Sequence, residues 1–550
     1  MQPVRSHRGQ LEHFRRSERS CVLARGGMVA SSVPAASDAG VEMLRRGGNA
    51  VDAALAAAAM LSVAEPMSTG IGGDAFALLW SAREGRLVGL NGSGRAPAAA
   101  TPEAYRARGL EAMPTHGILS VTVPGAVHAW ETLSRSHGRL PLGEVLEPAV
   151  RAARDGFPVA EIVAHYWFLL ERGGALRNAA ARATFAPEGR APRFGESFRN
   201  PGLARTLERI AEEGARGFYE GPVAEAIART SEEEGGLLSP SDLAGVESSW
   251  VEPLTLDYRG VTVAELPPNG QGITALIALG ILRELPPPPE DAEAESALAW
   301  HHRIEAVKLA FADRNTYVAD PEHAHVPVEA LLDPGYLRRR AALVGPKALP
   351  GAVPGLGRGD TVYLCAADAD GNLVSFIQSL FMGFGSGIAC GETGVLLQNR
   401  GAGFTLDPAH ANCLAPRKRP FHTIIPGMLL RGGIPWMAFG IMGGDVQAQA
   451  HVAFVSNVVD HGLNPQEALD AARFRYLEGN RVVVERPGAP ALEGGTLGER
   501  LAAWGHEVVQ PAPIAAEQFG GGQAIAVEEG GVRVGGSDRR KDGCARGTLD

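Results

Sequence analysis

The sequence predicts a layered α/β fold in which helices cover β-sheets. Helical patterns dominate the first part of the chain, and short β-like runs dominate after residue 360. A helix-rich half beside a strand-rich half packs most readily as stacked layers. A chain of 550 residues is also too long for one ordinary core, so we expect several domains or one large layered fold.

Residues 37 to 66 predict two helices. Gly47 and Gly48 end the first, and Asn49 with Asp52 caps an Ala-rich second helix that ends before Pro66. That second helix has almost no polar face, so we expect it to be buried. A Gly-rich loop and a strand follow it, and helical stretches then alternate with loops between residues 120 and 330.

A Pro- and Gly-rich linker, PKALPGAVPGLGRGD (346–360), is the strongest boundary signal in the chain. Short strands and one helix are predicted beyond it. The strands are 362–367, 373–380, 395–397, 428–430, 436–439, 481–484 and 524–527, and the helix lies near 448–459.

Composition excludes several classes of protein. A net charge of -10 argues against a nucleic-acid surface, and the sequence has no run of eighteen apolar residues that could span a membrane. Residues 1–25 are basic, polar and without an apolar signal region, so we expect a disordered tail and a cytoplasmic location. Five cysteines without a CxxC spacing predict free thiols. We expect no metal and no organic cofactor.

One hairpin brings two hydroxyl groups together. Asp368 to Asn372 form a five-residue, Gly-containing connection between two β-like runs, which places Thr361 opposite Ser379. Cross-strand partners lie about 5 Å apart on the same face of a sheet. An ordinary Thr–Ser cross-strand pair and a reactive pair both fit this pattern.

Other motifs carry weaker signals. GIGGDA (70–75) matches a dinucleotide pattern, but it follows a helix and lacks a βαβ unit. His302 and Glu305 share a helix face, although no third ligand stands at a recognised spacing, which favours a structural helix face. The Gly-rich turns 383–388 and 440–445 fit tight turns, or N–H groups that approach an oxyanion.

Several long blocks, in order, resemble the γ-glutamyltranspeptidase-like proteins. They are GGNAVDAALAAAAMLSVAEPMSTGIGGDAF, SVTVPGAVHAWE, EAVKLAFADRNTYVADP, GDTVYLCAADADGNLVSFIQS, GFGSGI, TGVLLQNRGAGF, KRPFHTIIP and MGGDVQAQ. The resemblance implies an N-terminal nucleophile hydrolase with a four-layer αββα sandwich, formed jointly by two autoproteolytic fragments. The variant blocks are more similar to the branch that contains oxamate amidohydrolases and uncharacterised transpeptidase-like proteins.

The resemblance also implies where the chain cuts itself and which groups react. Cleavage between Asp360 and Thr361 would give a large subunit, 26–360, and a small subunit, 361–550. Thr361 would then be the nucleophile, with its new α-amine as the base. Ser379 matches the family's second hydroxyl residue, and Gly443 with Gly444 matches its oxyanion hole.

Departures from the family pattern bear on the substrate. Gly403 stands where γ-glutamyl enzymes have the carboxylate that pairs with the substrate ammonium. Phe381, Arg400, His422 and Thr423 occupy other substrate-binding positions. Ser93 aligns with the family's early arginine, and Arg95 follows two residues later. Arg95 and Arg400 indicate a pocket for an acid without an amino group, to which His422 and Thr423 contribute.

Three functions remain open at this point, and the sequence neither promotes nor excludes a fourth, a C–C bond hydrolase of the kind to which members of the family have been diverted. The first is an autoprocessing threonine amidohydrolase that cleaves an amide of a small carboxylate substrate, oxamate-like or an acyl amino acid. The second is a γ-glutamyl hydrolase or transferase acting on glutathione-like substrates. The third is a non-catalytic relative that binds a partner. The expected partners are a small molecule and the two fragments of one precursor, and a homodimer is left open.

Overall fold

Two seven-stranded antiparallel sheets face each other at the centre of the molecule, with helices on both outer faces. The computed structural model describes residues 17, 19–287, 296–350, 360–491, 494–511 and 516–549. The front sheet has the strand order β19-β2-β10-β11-β3-β4-β7, and the back sheet has the order β1-β18-β17-β13-β12-β9-β8. The four-layer αββα architecture is therefore confirmed.

The strands are numbered in chain order. They are β1 Val22–Ala24, β2 Met28–Ser31, β3 Asp74–Ser81, β4 Arg86–Gly92, β5 Phe157–Pro158, β6 Ser197–Phe198, β7 Ser249–Val251, β8 Leu254–Tyr258, β9 Val261–Glu265, β10 Asp360–Ala367, β11 Leu373–Phe381, β12 Gly427–Arg431, β13 Ile434–Met442, β14 Phe474–Glu478, β15 Arg481–Val484, β16 Glu507–Val509, β17 Gly521–Val527, β18 Arg533–Ser537 and β19 Cys544–Gly547.

The helices are numbered in the same way. They are α1 Pro34–Arg45, α2 Ala50–Ala64, α3 Pro102–Arg106, α4 Ala126–His137, α5 Leu142–Asp155, α6 Glu161–Arg172, α7 Ala179–Phe185, α8 Pro201–Glu213, α9 Arg216–Tyr219, α10 Gly221–Glu233, α11 Pro240–Ala244, α12 Gly272–Glu284, α13 Ala297–Tyr317, α14 Val328–Leu331, α15 Pro334–Ala341, α16 Val446–His461, α17 Pro465–Asp470, α18 Leu497–Ala503 and α19 Ala516–Phe519.

Strand alternation decides which side chains lie between the sheets. Along β10, Val362 and Leu364 pack into the core formed with α1, α2 and α4 to α11, whereas Tyr363 and Cys365 pack into the apolar layer between the two sheets. Successive side chains of a strand point to opposite faces. Thr361 has the same parity as Tyr363, so it lies on the inter-sheet side, at the start of its strand.

Helix α2 confirms the predicted buried Ala-rich helix. Asn49 and Asp52 form a capping box at its N-terminus, and all fifteen of its residues are buried. Small side chains let it pack closely on α1, α5 and β10. The helix therefore supports the back of the strand that begins beside Thr361.

Two predictions about local structure are wrong. Residues 395–397 form no strand, because Leu396 and Leu397 make only isolated bridges to Ala389 and Gly72. The predicted disordered tail lies mostly outside the described residues, but it does not reach residue 25. Val22–Ala24 pairs with β18 at the edge of the back sheet, where β18 offers unpaired backbone groups.

Three further predictions concern the cysteines, membrane-spanning helices and the division into subunits. All five cysteines are free thiols. Among the described residues, no helix is long and apolar enough to cross a membrane. The division into a large and a small subunit at residue 360 stays a prediction.

A substitution at Gly440 tests the close contact between the two sheets. A Cβ at this position on β13 would lie 2.3 Å from the ring of Tyr363 on β10. We expect Gly440→Ala to lower the free energy of unfolding by about 1–3 kcal/mol, because the buried ring has to move. Urea unfolding measures the change. Gly488→Ala, with no atom within 4 Å of the added Cβ, is the matched control, and an equal loss in both variants would contradict the account.

Candidate active site

The Thr361 and Ser379 hydroxyls meet as predicted. Strands β10 and β11 pair in the expected register, with an irregularity between Asp360 and Val362. The Thr361 Oγ1 donates to the Ser379 Oγ at 3.1 Å, and both residues are fully buried. The Ser379 Oγ also accepts the Phe381 N–H at 2.7 Å. Ser379 is thereby held in one orientation against Thr361.

A glycine turn stands at the N-terminus of helix α16, next to Thr361. The Gln447 Nε2 on the first turn of that helix donates to the Thr361 Oγ1 at 3.4 Å. Gly443 and Gly444 have φ of 126° and 63°, a conformation that favours glycine. Neither of their N–H groups has a hydrogen-bond acceptor among the described residues. A helix N-terminus with unused N–H groups suits an anion.

A buried network fixes this turn. The Gln271 Nε2 donates to the Gly444 carbonyl at 3.0 Å and to the Thr423 carbonyl at 2.7 Å. The Arg314 Nη1 donates to the Gln271 Oε1 and pairs with the Asp445 carboxylate at 2.8 Å. Burial raises the pKa of Asp445, and Arg314 opposes that shift. The turn is therefore tied to the segment that carries Thr423.

Arg400 brings a positive charge directly to the hydroxyl pair. Its Nη2 donates to the Ser379 Oγ at 3.1 Å, and its Nη1 donates to the Thr423 Oγ1 at 2.8 Å. The side chain is fully buried, and its Nε has no hydrogen-bond partner among the described residues. No described carboxylate forms an ion pair with it. Burial lowers the pKa of Arg400 to about 9, and Asp74 opposes the shift, so the group is charged at neutral pH.

The aromatic ring of Phe381 packs against the guanidinium group of Arg400. Its ring lies 4.1 Å from the Arg400 guanidinium carbon. Its φ of 86° is an outlier for a bulky residue and indicates strain beside a functional group. Gly403, at the end of the short 3₁₀ helix that Arg400 begins, has no room for a side chain. A Cβ there would lie 2.7 Å from the Phe421 carbonyl oxygen.

His422 is fully engaged by protein groups. Its Nε2 donates to the Asp74 Oδ2 at 3.0 Å, and its Nδ1 accepts the Ile424 N–H at 3.4 Å. Burial, followed by the charge of Arg400, lowers the pKa of His422 to about 4, so the ring is neutral at pH 7. Both ring nitrogens are therefore occupied, and the geometry favours a positioning role over the predicted direct contact with substrate.

Asp74 is a residue of this site that the sequence analysis missed. It begins β3 directly opposite Ser379 and is fully buried. Its Oδ1 accepts the N–H groups of Gly94 and Gly125 and the Gln398 Nε2. An aspartate directly after the glycines of GIGGDA was the available signal. Its partners are distant in sequence, so the pattern alone did not identify them.

Arg95 has other partners. Its Nη2 pairs with Glu322 at 2.9 Å, and its Nη1 donates to the Arg417 carbonyl at 3.0 Å. These contacts do not join Arg95 to the Thr361 group, so its role in substrate binding stays a prediction. Asp360 lies in β10 opposite Phe381. Cleavage at Asp360–Thr361 also stays a prediction.

One group of His and Glu side chains outside this site has the composition of a metal site. In the described part of the chain, His301, Glu305 and His506 are the set whose ligand atoms converge, so His301 and not the predicted His302 accompanies Glu305. The Lys308 ammonium lies 2.9 Å from the Glu305 carboxylate. The Leu349 N–H also binds that carboxylate. These contacts fit a structural network that anchors the chain before residue 351.

The buried His422 ring predicts a loss of stability in acid. Its pKa is about 6.5 when unfolded and about 4 when folded, so below pH 6.5 the unfolded chain binds a proton that the folded protein does not. We expect the free energy of unfolding to fall from pH 6.5 to 4, and to fall less in His422→Gln. Urea unfolding across this range measures the slope. Exposed His165→Gln is the control, and equal slopes in both variants would contradict the prediction.

Comparisons with known proteins point to one family. A family model described as gamma-glutamyltranspeptidase matches residues 36–548. The glutathione hydrolase-like YwrD proenzyme of Bacillus subtilis is 39% identical over 94% of this chain and 98% of that protein. The oxamate amidohydrolase proenzyme of Klebsiella pneumoniae is 36% identical over 95% and 98%.

The crystal structure of a cephalosporin acylase from Bacillus halodurans superimposes with a TM-score of 0.91 and 45% sequence identity. The match covers 97% of this chain and 98% of that chain. The family model, the curated relatives and the solved structure agree on the family. The chain belongs to the gamma-glutamyltranspeptidase family and is an amidohydrolase or transferase of that family.

Proposed function

We propose that this protein is an autoprocessing threonine amidohydrolase that cleaves an amide of a small carboxylate substrate through an acyl-enzyme. Arg400 is the observation that carries the proposal. It is a fully buried cation with which no carboxylate of the described residues forms an ion pair, and it touches the hydroxyl bound to Thr361. Burying a cation that has no carboxylate in direct contact is costly, and a substrate carboxylate would supply that contact.

The reaction begins after cleavage before Thr361. The freed α-amine, with an ordinary pKa of about 7.7 to 8.0, takes the proton of the Thr361 Oγ1, which attacks the amide carbonyl carbon. The Gly443 and Gly444 N–H groups would bind the resulting oxyanion. The carbon–nitrogen bond then breaks, and the departing amine takes the proton from the α-ammonium. Water, deprotonated by the α-amine, attacks the ester and releases the acid.

Distances limit the length of the acyl group. The Arg400 Nη2 and the Thr361 Oγ1 each lie 3.1 Å from the Ser379 Oγ, so they are about 6 Å apart or less. A carboxylate on Arg400 and a carbonyl at Thr361 must therefore belong to one short chain. Mono-amides of dicarboxylic acids with roughly two to five carbons fit this span. An oxamate amidohydrolase and a cephalosporin acylase among the relatives are consistent with such acyl chemistry.

A γ-glutamyl substrate has weaker support. Its α-ammonium needs an acceptor, but Gly403 carries no side chain, and both Asp74 oxygens are already bound by N–H donors. The positive charge of Arg400 would also repel an ammonium placed close to it. The site therefore favours an acid without the amino group.

A series of substrates tests the proposal. Oxamate, malonamate, succinamate, glutaramate and adipamate are incubated with the purified protein, and released ammonia is measured. We expect activity on the shorter members and a sharp fall at adipamate. Glutathione and neutral propionamide should be poor substrates. Hydrolysis of glutathione without hydrolysis of any mono-amide would contradict the proposal.

Removal of the buried cation tests the role of Arg400. We expect Arg400→Met to raise the KM for the best mono-amide by about 10- to 100-fold, because a charge-assisted hydrogen-bonded contact is lost. The activity on propionamide should change much less. Arg154→Met, which removes an exposed guanidinium paired with Glu208, is the matched control. Equal losses on charged and neutral amides would show that Arg400 does not select a carboxylate.

A further inference from the structure

Asp74 lies in a site that is built around its side chain. Its Oδ1 lies 3.0 Å from the N–H groups of both Gly94 and Gly125. Only glycine fits at these two positions. A Cβ on Gly94 would lie 1.5 Å from the Val123 carbonyl oxygen, and one on Gly125 would lie 2.0 Å from the Gly92 carbonyl oxygen. The backbone around Asp74 is therefore shaped to bring these N–H groups to its side chain.

The charges near Thr361 do not balance in local pairs. Arg314 and Asp445 pair with each other, and His422 is neutral at pH 7. Within the described ranges, no carboxylate forms an ion pair with Arg400, and the neutral His422 ring is the one side chain that forms an ion-pair candidate with Asp74. Asp74 is the opposite charge that acts on Arg400. These two buried groups therefore balance each other without a direct contact.

A closed path of contacts also links the two groups. Asp74 binds His422, whose neighbour Thr423 accepts from Arg400, and Arg400 donates to Ser379. Ser379 is in turn the cross-strand partner of Asp74 in the front sheet. A change of charge at Asp74 therefore acts within the group of residues that surrounds Thr361.

We propose that Asp74 sets the charge of the acid-binding site: its carboxylate is the counter-charge of Arg400 in the free enzyme, and it limits how tightly that site holds an anion. The proposal rests on the acid-binding role given to Arg400 above. Its consequence concerns product release. Hydrolysis of a mono-amide produces a dicarboxylate. This product dissociates faster when the charge of Asp74 keeps the site close to neutral.

The affinity for malonate measures this role. Asp74→Asn keeps the size of the side chain and an acceptor oxygen for Gly94 and Gly125. We expect its Kd for malonate to fall roughly tenfold relative to wild type, because one negative charge leaves a buried site. Asp74→Glu retains the charge and should show no such fall. Isothermal titration calorimetry gives the values. A merely structural Asp74 predicts weaker binding, so an unchanged or raised Kd in Asp74→Asn overturns the proposal.

A stability cycle tests the counter-charge without any ligand. Urea unfolding is measured for wild type, Asp74→Asn, Arg400→Met and the double variant. We expect Arg400→Met to recover much of the stability lost in Asp74→Asn, because the unbalanced cation is gone. If Asp74→Asn alone does not fold, the double variant should fold, and its failure overturns the proposal. Strictly additive losses also overturn it.

Different results would contradict the proposed function and the counter-charge role of Asp74. Absence of mono-amide hydrolysis and of malonate binding in wild type counts against the proposed function. The stability cycle remains decisive for Asp74 in that case, because it needs neither substrate nor turnover.

Discussion

The register between β10 and β11 is the constraint on which the rest of the site depends. It places Thr361 against Ser379 in the layer between two sheets, where neither hydroxyl meets solvent. A slip of one residue would turn Thr361 towards the helical layer. The short connection between the strands and the capped, fully buried α2 behind β10 hold this register. The position of the Thr361 hydroxyl is therefore determined by the sheet and not by a loop.

The second constraint is the cost of burying polar groups. Arg400, Asp74, His422 and Gln271 all lie in the protein interior, and hydrogen bonds engage each of them. Among the described residues of this network, the Arg400 Nε, the Gln398 Oε1 and the N–H groups of the Gly443–Gly444 turn keep unused hydrogen-bonding capacity. In our proposal, the Arg400 guanidinium faces a negative group of the substrate, and the glycine N–H groups face the oxyanion. Selectivity and catalysis would then use the same buried network.

The sequence predicts features that depend on local patterns. The hairpin count aligned Thr361 with Ser379, and the Asn49 cap with an Ala-rich run predicted a buried helix. Features that depend on tertiary packing were missed. Asp74 binds groups from four separate segments, and the pairing of His301 with His506 joins residues 205 positions apart. The sequence of residues 395–397 is typical of a strand, but Leu396 and Leu397 form only isolated β-bridges, to Ala389 and Gly72.

The most direct test of the central claim is the intact mass of the purified protein beside Thr361→Ala, with N-terminal sequencing of any smaller fragment. The account predicts two fragments in wild type, of 360 and 190 residues if no other processing occurs, the smaller beginning at Thr361. The variant should remain one uncut chain. A single wild-type chain, or a fragment that begins at another residue, would contradict the assignment of Thr361 as the nucleophile.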